Sequence, residues 1–196
     1  MDRVLYAILL LFAGSAYASP KLSADQIATI ESGEVVVVPK SPTGGEGVAA
    51  MSYGLVEAPI ARVWPVVRDC QHFHKFMPRT AKSELRERNG DVMKCYFKLD
   101  MPFPFSDMWS LVTSKITRTP DGAFHRRWSL IEGTYSRNEG QWSAYPWGTD
   151  GKKTLLVYTI DVDPQVSMPD FIIRKAQTGT LPDVYDAIRK RVRTLR

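Results

Sequence analysis

Between Leu85 and Val162 the chain repeats one pattern: apolar and polar residues alternate at every second position, and short turn-forming clusters separate the repeats. Period two is what a strand with one buried and one wet face requires. Met93, Cys95, Phe97 and Leu99 alternate with Lys94, Tyr96 and Lys98, and the hairpin dipeptide Asn89-Gly90 joins this segment to the one around Leu85. Further strands are predicted at 108–118, 123–132, 135–145 and 154–162, set apart by Pro120-Asp121-Gly122, by Gly133 and by residues 148–151. Strands joined this closely form an antiparallel meander.

The pattern differs on both sides of the meander. Before it, Ser23 caps a predicted short helix that runs to about Ser32 and is ended by Gly33. A β-branched run at 35–38 and an extended segment at 48–57 follow, with a Pro- and Gly-rich turn between them. Pro59 opens a helix in which Ile60, Val63, Trp64 and Val67 fall on one face, and a second short helix covers Cys70 to Phe76. After the meander, Pro169 and Asp170 open a long helix whose apolar stripe is Phe171, Ile172, Ala176, Val184, Tyr185, Ile188, Val192 and Leu195, with a kink expected at Pro182. The fold class is therefore α+β: a curved antiparallel sheet wrapped around a long C-terminal helix. A sheet bent around one helix leaves a gap, and that gap is an apolar pocket.

Arg3, the apolar run 4–14 and Ala16-Tyr17-Ala18 read as a secretory signal peptide cleaved after Ala18. The run is shorter than the roughly 20 residues a membrane-crossing helix needs. The chain divides into a signal peptide at 1–18, an N-terminal helix and lead-in at 19–47, and one ligand-binding domain at 48–196. The expected location is periplasmic or secreted. Export makes a Cys70–Cys95 disulfide possible, and two buried thiols are the equal alternative. The formal charge of +5 favours anionic partners. Arg189, Lys190, Arg191, Arg193 and Arg196 near the C-terminus suit the helix dipole or a transient contact with an anionic membrane surface. Trp147 is a candidate for the membrane interface. Nucleic acid is not expected as a partner of an exported chain without a stacking platform.

Catalytic and metal-binding patterns are weak. Cys70, His72 and His74 offer ligand chemistry, but on a helix the two imidazoles project about 200° apart, so no metal is assigned. Gly44-Gly45-Glu46-Gly47 lacks the lysine of a phosphate loop, no Gly-x-Ser-x-Gly elbow is present, and no cofactor is indicated. Strand alternation turns His125 toward solvent and puts Arg126 inside with Phe124, Trp128 and Leu130. A buried guanidinium needs a partner: Glu139 or Asp107 in a structural ion pair, or a ligand carboxylate, phosphate or carbonyl. The residues assigned to the cavity are Met93, Cys95, Phe97, Leu99, Arg126, Trp128, Leu130, Trp142, Tyr158 and, from the terminal helix, Phe171.

Over about residues 48 to 195 the order of motifs resembles the START superfamily, also called SRPBCC, of lipid-transfer, polyketide cyclase and coenzyme Q-binding domains. The pieces are Ala58-Pro59 with Val63-Trp64 and Val67-x-Asp69, Phe76-x-Pro78, Pro102-x-Pro104-x-Ser106-Asp107, Gly140-x-Trp142 with Pro146, Thr154 with Tyr158, and Asp163-Pro164 with Pro169. The resemblance implies the helix-grip fold and non-enzymatic binding or transfer of a lipid, sterol-like molecule or quinone. The alternative it carries is a cyclase or aromatase-like enzyme acting on a small hydrophobic molecule. Two positions depart from the pattern: Met108-Trp109 replace an Arg-Asp pair, and Gln165-Val166 replace Gly-Gly.

Overall fold

The computed structural model describes residues 19–101, 103, 105–165 and 179–195. The predicted signal peptide, Phe171 and the first part of the predicted terminal helix lie outside the described residues. Helix α1 (Ala24–Glu31) starts in a capping box, in which the Gln26 amide N–H donates to Ser23 Oγ and the Gln26 side chain accepts from the Ser23 N–H. Strands β1 (Val36–Lys40) and β2 (Val48–Val56) follow, then α2 (Ile60–Arg68). The next turn, Cys70–Lys75, is a 3-10 helix rather than the α-helix that sequence spacing suggests. The meander is β3 (Thr80–Asn89), β4 (Val92–Leu99), β5 (Met108–Arg118), β6 (Phe124–Gly133), β7 (Tyr135–Trp147) and β8 (Lys153–Pro164), and α3 (Leu181–Thr194) closes the chain.

These strands form one antiparallel sheet in the order β1-β2-β8-β7-β6-β5-β4-β3. Because β2 lies beside β8 and β3 is the far edge, the connection through α2 and the 3-10 turn must cross the inner face of the sheet. There α2 buries Val63, Trp64, Val66 and Val67. Trp64 stacks on Phe124, and Thr154 Oγ1 donates to the Ala58 carbonyl at 2.7 Å, fixing the entry to α2. No helix of the described residues is long and apolar enough to cross a membrane.

The terminal helix is pinned to the same side. The fully buried Tyr185 hydroxyl donates to the Ser52 carbonyl at 2.8 Å, and Arg189 Nε donates to the Leu55 carbonyl at 2.9 Å. Gly54 makes the approach possible: a Cβ there would stand 2.6 Å from the Tyr185 ring. Pro182, expected to kink a longer helix, stands in the first turn of α3, where its missing N–H leaves no hydrogen bond broken.

The outer face of the sheet carries a second core. Ile30 of α1 joins Leu55, Ala123, Tyr145, Leu155 and Val157, with Trp147 packed at the side. One expectation is corrected by this cluster: His125 is 2% exposed instead of solvent-facing. Trp147 is half-buried against it. The outer face at this end is covered, so polar parity does not mean contact with water.

His125 Nδ1 lies 2.9 Å from Ser143 Oγ, and its ring meets Tyr145 edge-on. Burial holds its pKa below 6.5, with the Asp121 carboxylate opposing weakly. The unfolded chain therefore takes up a proton near pH 6.5 while the folded protein does so only at lower pH. The stability from neutral His125 is complete above that value and is lost as the pH falls through the lower, folded pKa. Calorimetric Tm is expected to drop as the pH falls below 6.5, with the drop reduced in His125→Gln. An identical slope in the variant would show that other groups carry the acid sensitivity.

Candidate ligand-binding site

Inward side chains mark how far the space between sheet and helices extends. On β4, Leu99 and Phe97 line a cavity of about 480 Å³, whereas Cys95 and Met93, further along the same face, are packed in the core. On β5 the boundary falls between Val112 and Ser114, on β7 between Trp142 and Ala144, and on β8 between Tyr158 and Leu156. The cavity is thus closed at the level where α2 packs, with the buried Cys70–Cys95 disulfide behind the floor. The other end is framed by Met77, Arg79, Thr80, Met101, Leu181 and Asp183. The volume falls within the range of about 300–1,000 Å³ usual for a small-molecule site.

Aromatic rings build the walls. Trp142 and Tyr158, neighbours across β7 and β8, stack with centroids 4.0 Å apart, and Trp128 continues the stack at 5.8 Å from Tyr158. Trp128 lies flat because its cross-strand neighbour is Gly140, where a Cβ would come within 2.4 Å of the indole. Its Nε1 donates to Asn138 Oδ1 at 3.0 Å, which fixes the ring. Opposite, Phe73 of the 3-10 turn stacks on Phe97.

Arg126 sits at the floor, 2% exposed. Neither expected ion pair exists: Asp107 is 2.8 Å from Lys98 Nζ, and Glu139 is exposed on the outer face. The reason is parity, since Glu139 pairs across from Asp161 and points away from Trp142. The guanidinium instead donates to the Val67 carbonyl and to Ser114 Oγ, both at 3.3 Å, and reaches Cys95 Sγ at 3.7 Å. It also lies over the Phe73 ring. Burial lowers its pKa to about 10, which leaves it charged at neutral pH. Burial raises the phenols too, Tyr135 to about 12 and Tyr158 further.

Of the residues assigned to the cavity from sequence, Phe97, Leu99, Arg126, Trp128, Trp142 and Tyr158 line it. Met93 and Cys95 do not, because Val63, Val67 and Cys70 pack over that end of β4, and Cys95 is in the disulfide. Leu130 does not either: β6 pairs with β7 only as far as Trp128, and beyond that point Leu130 diverges with its strand. Phe171 lies outside the described residues. Sequence reasoning missed Phe73, Val112, Tyr135, Asn138, Ile160 and Val184. Val112 and Ile160 had the inward parity to be found, whereas Asn138 reads as polar and gave no signal.

The other marked residues have structural partners. His72 Nδ1 bonds Asp69 at 2.7 Å and His74 Nδ1 bonds Ser83 Oγ at 2.9 Å, while Cys70 is bridged to Cys95. Among the described residues no group of His, Cys, Asp and Glu could hold a metal ion. In the two departing positions Met108 is buried and Trp109 stacks on Tyr96 outside the cavity. At the C-terminal end Arg191 lies over Phe76, and Arg189 also pairs with Asp186.

Trp142 and Trp128 differ in how they are held, and substitution separates them. Trp142→Ala is expected to lower stability by about 3–5 kcal/mol in urea unfolding, because the ring is 3% exposed and stacked. Trp128→Ala, half-buried on the cavity side, is expected to cost less stability while weakening a fluorescent lipid probe about tenfold or more. Loss of stability and probe binding in the same proportion in both variants would make Trp128 an ordinary core residue.

Comparison with solved structures finds the same fold in proteins of low sequence identity. A STAR-related lipid transfer protein (fragment 25-204) from Xanthomonas axonopodis superposes with a TM-score of 0.71 at 20% identity, covering 82% of this chain and 94% of the other. Human StAR-related lipid transfer protein 5 gives 0.69 at 15% identity, covering 81% and 82%. The Zhui aromatase/cyclase of Streptomyces sp. R1128 gives 0.54 at 18% identity, covering 82% and 94%. No curated protein matches the chain in sequence. The family described as polyketide cyclase / dehydrase and lipid transport matches residues 56–189, from the end of β2 into α3 and including every described wall of the cavity, and the chain belongs to that family within the START-like superfamily.

Proposed function

We propose that the protein binds one hydrophobic ligand in the cavity between sheet and helices and carries it without transforming it. One observation carries the reading: a cavity of about 480 Å³, walled by stacked aromatic rings and closed at one end, lies inside a fold shared with lipid transfer proteins. Binding would gain about 25 cal/mol for each Å² of ligand apolar surface removed from water. Lipid, sterol-like and quinone ligands all offer such surface. Native mass spectrometry of the purified protein tests this, with a single added mass expected that disappears on lipid extraction and returns when lipid is supplied. A protein that carries nothing and takes up nothing would overturn the reading.

The fold likeness to the Streptomyces enzyme favours a second reading, a cyclase-like activity. In this cavity the proton chemistry would fall to Tyr135 and Tyr158, whose phenols burial makes weaker acids than ordinary tyrosine. That disfavours proton transfer by either phenol at neutral pH.

The same proposal places the protein outside the cytoplasm, with residues 1–18 as a cleavable signal peptide. The Cys70–Cys95 disulfide supports it, because such bonds persist chiefly in oxidising compartments. A fused reporter that works only after export should be active behind the full chain and silent behind a chain starting at Ser19. Activity of the shortened fusion would count against export by this segment.

A further inference from the structure

The floor of the cavity holds a charge that no described residue compensates with a carboxylate in contact. Arg126 has three neighbours within hydrogen-bonding reach, all neutral: the Val67 carbonyl, Ser114 Oγ and Cys95 Sγ, at 3.3–3.7 Å. These contacts are longer than the usual 2.7–3.2 Å of a good N–H···O bond. Its Nε has no hydrogen-bond partner among the described residues. Asp69, whose charge it feels from a distance, has its carboxylate on His72 Nδ1. Among the described residues that line the cavity the sole carboxylate is Asp183, exposed at the opposite end. A buried cation without a counterion is costly, and removing that cost is what an anionic group brought to the same place would do.

Size narrows the choice. A volume of about 480 Å³ lies in the lower half of the range of about 300–1,000 Å³ for small-molecule sites, which favours one acyl chain over the two chains of a membrane phospholipid. The path from the open end to Arg126 runs between Leu99, Trp128, Tyr158 and Ile160, so a chain attached to the head would lie against apolar and aromatic walls.

Resting on the carrier reading above, we propose that the ligand is a single-chain long-chain carboxylate, held head-first with its carboxylate on Arg126 and its tail toward the open end. The planar guanidinium matches a carboxylate fork, and the Tyr158 phenol beside it stays protonated and neutral. A ligand of this class enters with its polar end leading. The orientation follows from where the charge lies, at the closed end of the cavity.

The test uses four probes with one tail: myristate, its methyl ester, tetradecanol and tetradecyl phosphate. Binding to the full folded chain is read by quenching or enhancement of tryptophan emission, since Trp128 and Trp142 line the path. Myristate is expected to bind at least about tenfold more tightly than the ester and the alcohol, the difference one charge-assisted contact supplies. Arg126→Met should erase that preference by weakening myristate while leaving the ester unchanged. Equal binding of myristate, ester and alcohol would overturn the head-group assignment and leave the hydrophobic carrier standing. Tetradecyl phosphate binding tenfold more tightly than myristate would replace the carboxylate by a phosphate head and overturn the assignment in that form. No binding of any of the four probes would overturn the single-chain assignment, and the carrier reading falls with it only where native mass spectrometry also finds nothing carried and nothing taken up. Should Arg126→Met not fold, the probe series on the unaltered protein decides.

Discussion

The cavity exists because the terminal helix is fastened to one side of the sheet. Tyr185 and Arg189 bond to main-chain carbonyls of β2, and β2 sits next to β8, far from β3 and β4. One helix held there cannot also cover the strands at the other end. The connection from β2 to β3 must cross the inner face, and its helix α2 fills the gap at one level only, where Val63, Trp64 and Val67 meet Cys95, Ile116 and Ala144. What α2 does not reach stays open among the described residues. The pocket is therefore a product of strand order as much as of residue size: a chain placing β2 beside β3 would have no crossing connection to divide filled core from empty space.

Two kinds of residue then set what the opening accepts. Gly140 lets the Trp128 ring lie against the main chain as a flat wall of the cavity, as Gly54 lets Tyr185 do in the core beside it. Arg126 introduces a charge at the closed end, opposite the end framed by Arg79 and Asp183. Its neutral acceptors and the Phe73 face keep it in place without neutralising it.

Much of this was readable from the residues. Period two located the strands of the meander to within a few residues, and inward parity identified six cavity residues, Phe97, Leu99, Arg126, Trp128, Trp142 and Tyr158. Parity, however, assigns a face and is silent about depth along it. Met93 and Cys95 share the face of Phe97, and only the position of α2, a long-range contact, separates core from cavity. His125 shows the opposite limit: its outward parity was right, but the outer face is covered by a second core that α1 completes. Leu130 depended on where pairing of β6 with β7 stops, and the disulfide on two elements meeting that are 25 residues apart in the chain. Each miss turns on tertiary arrangement rather than on a misread element.

The closed floor has a kinetic meaning. Among the described residues the space narrows to packed core at α2, with a covalent tie between Cys70 and Cys95 immediately beyond it. A newcomer cannot push the resident molecule out through a back exit. On the proposed carrier reading, turnover would be dissociative: the rate at which a loaded molecule empties would be a property of the complex alone, independent of how much free ligand waits outside. Such a vessel would deliver at its own pace, and crowding the acceptor side with cargo would leave that pace unaltered.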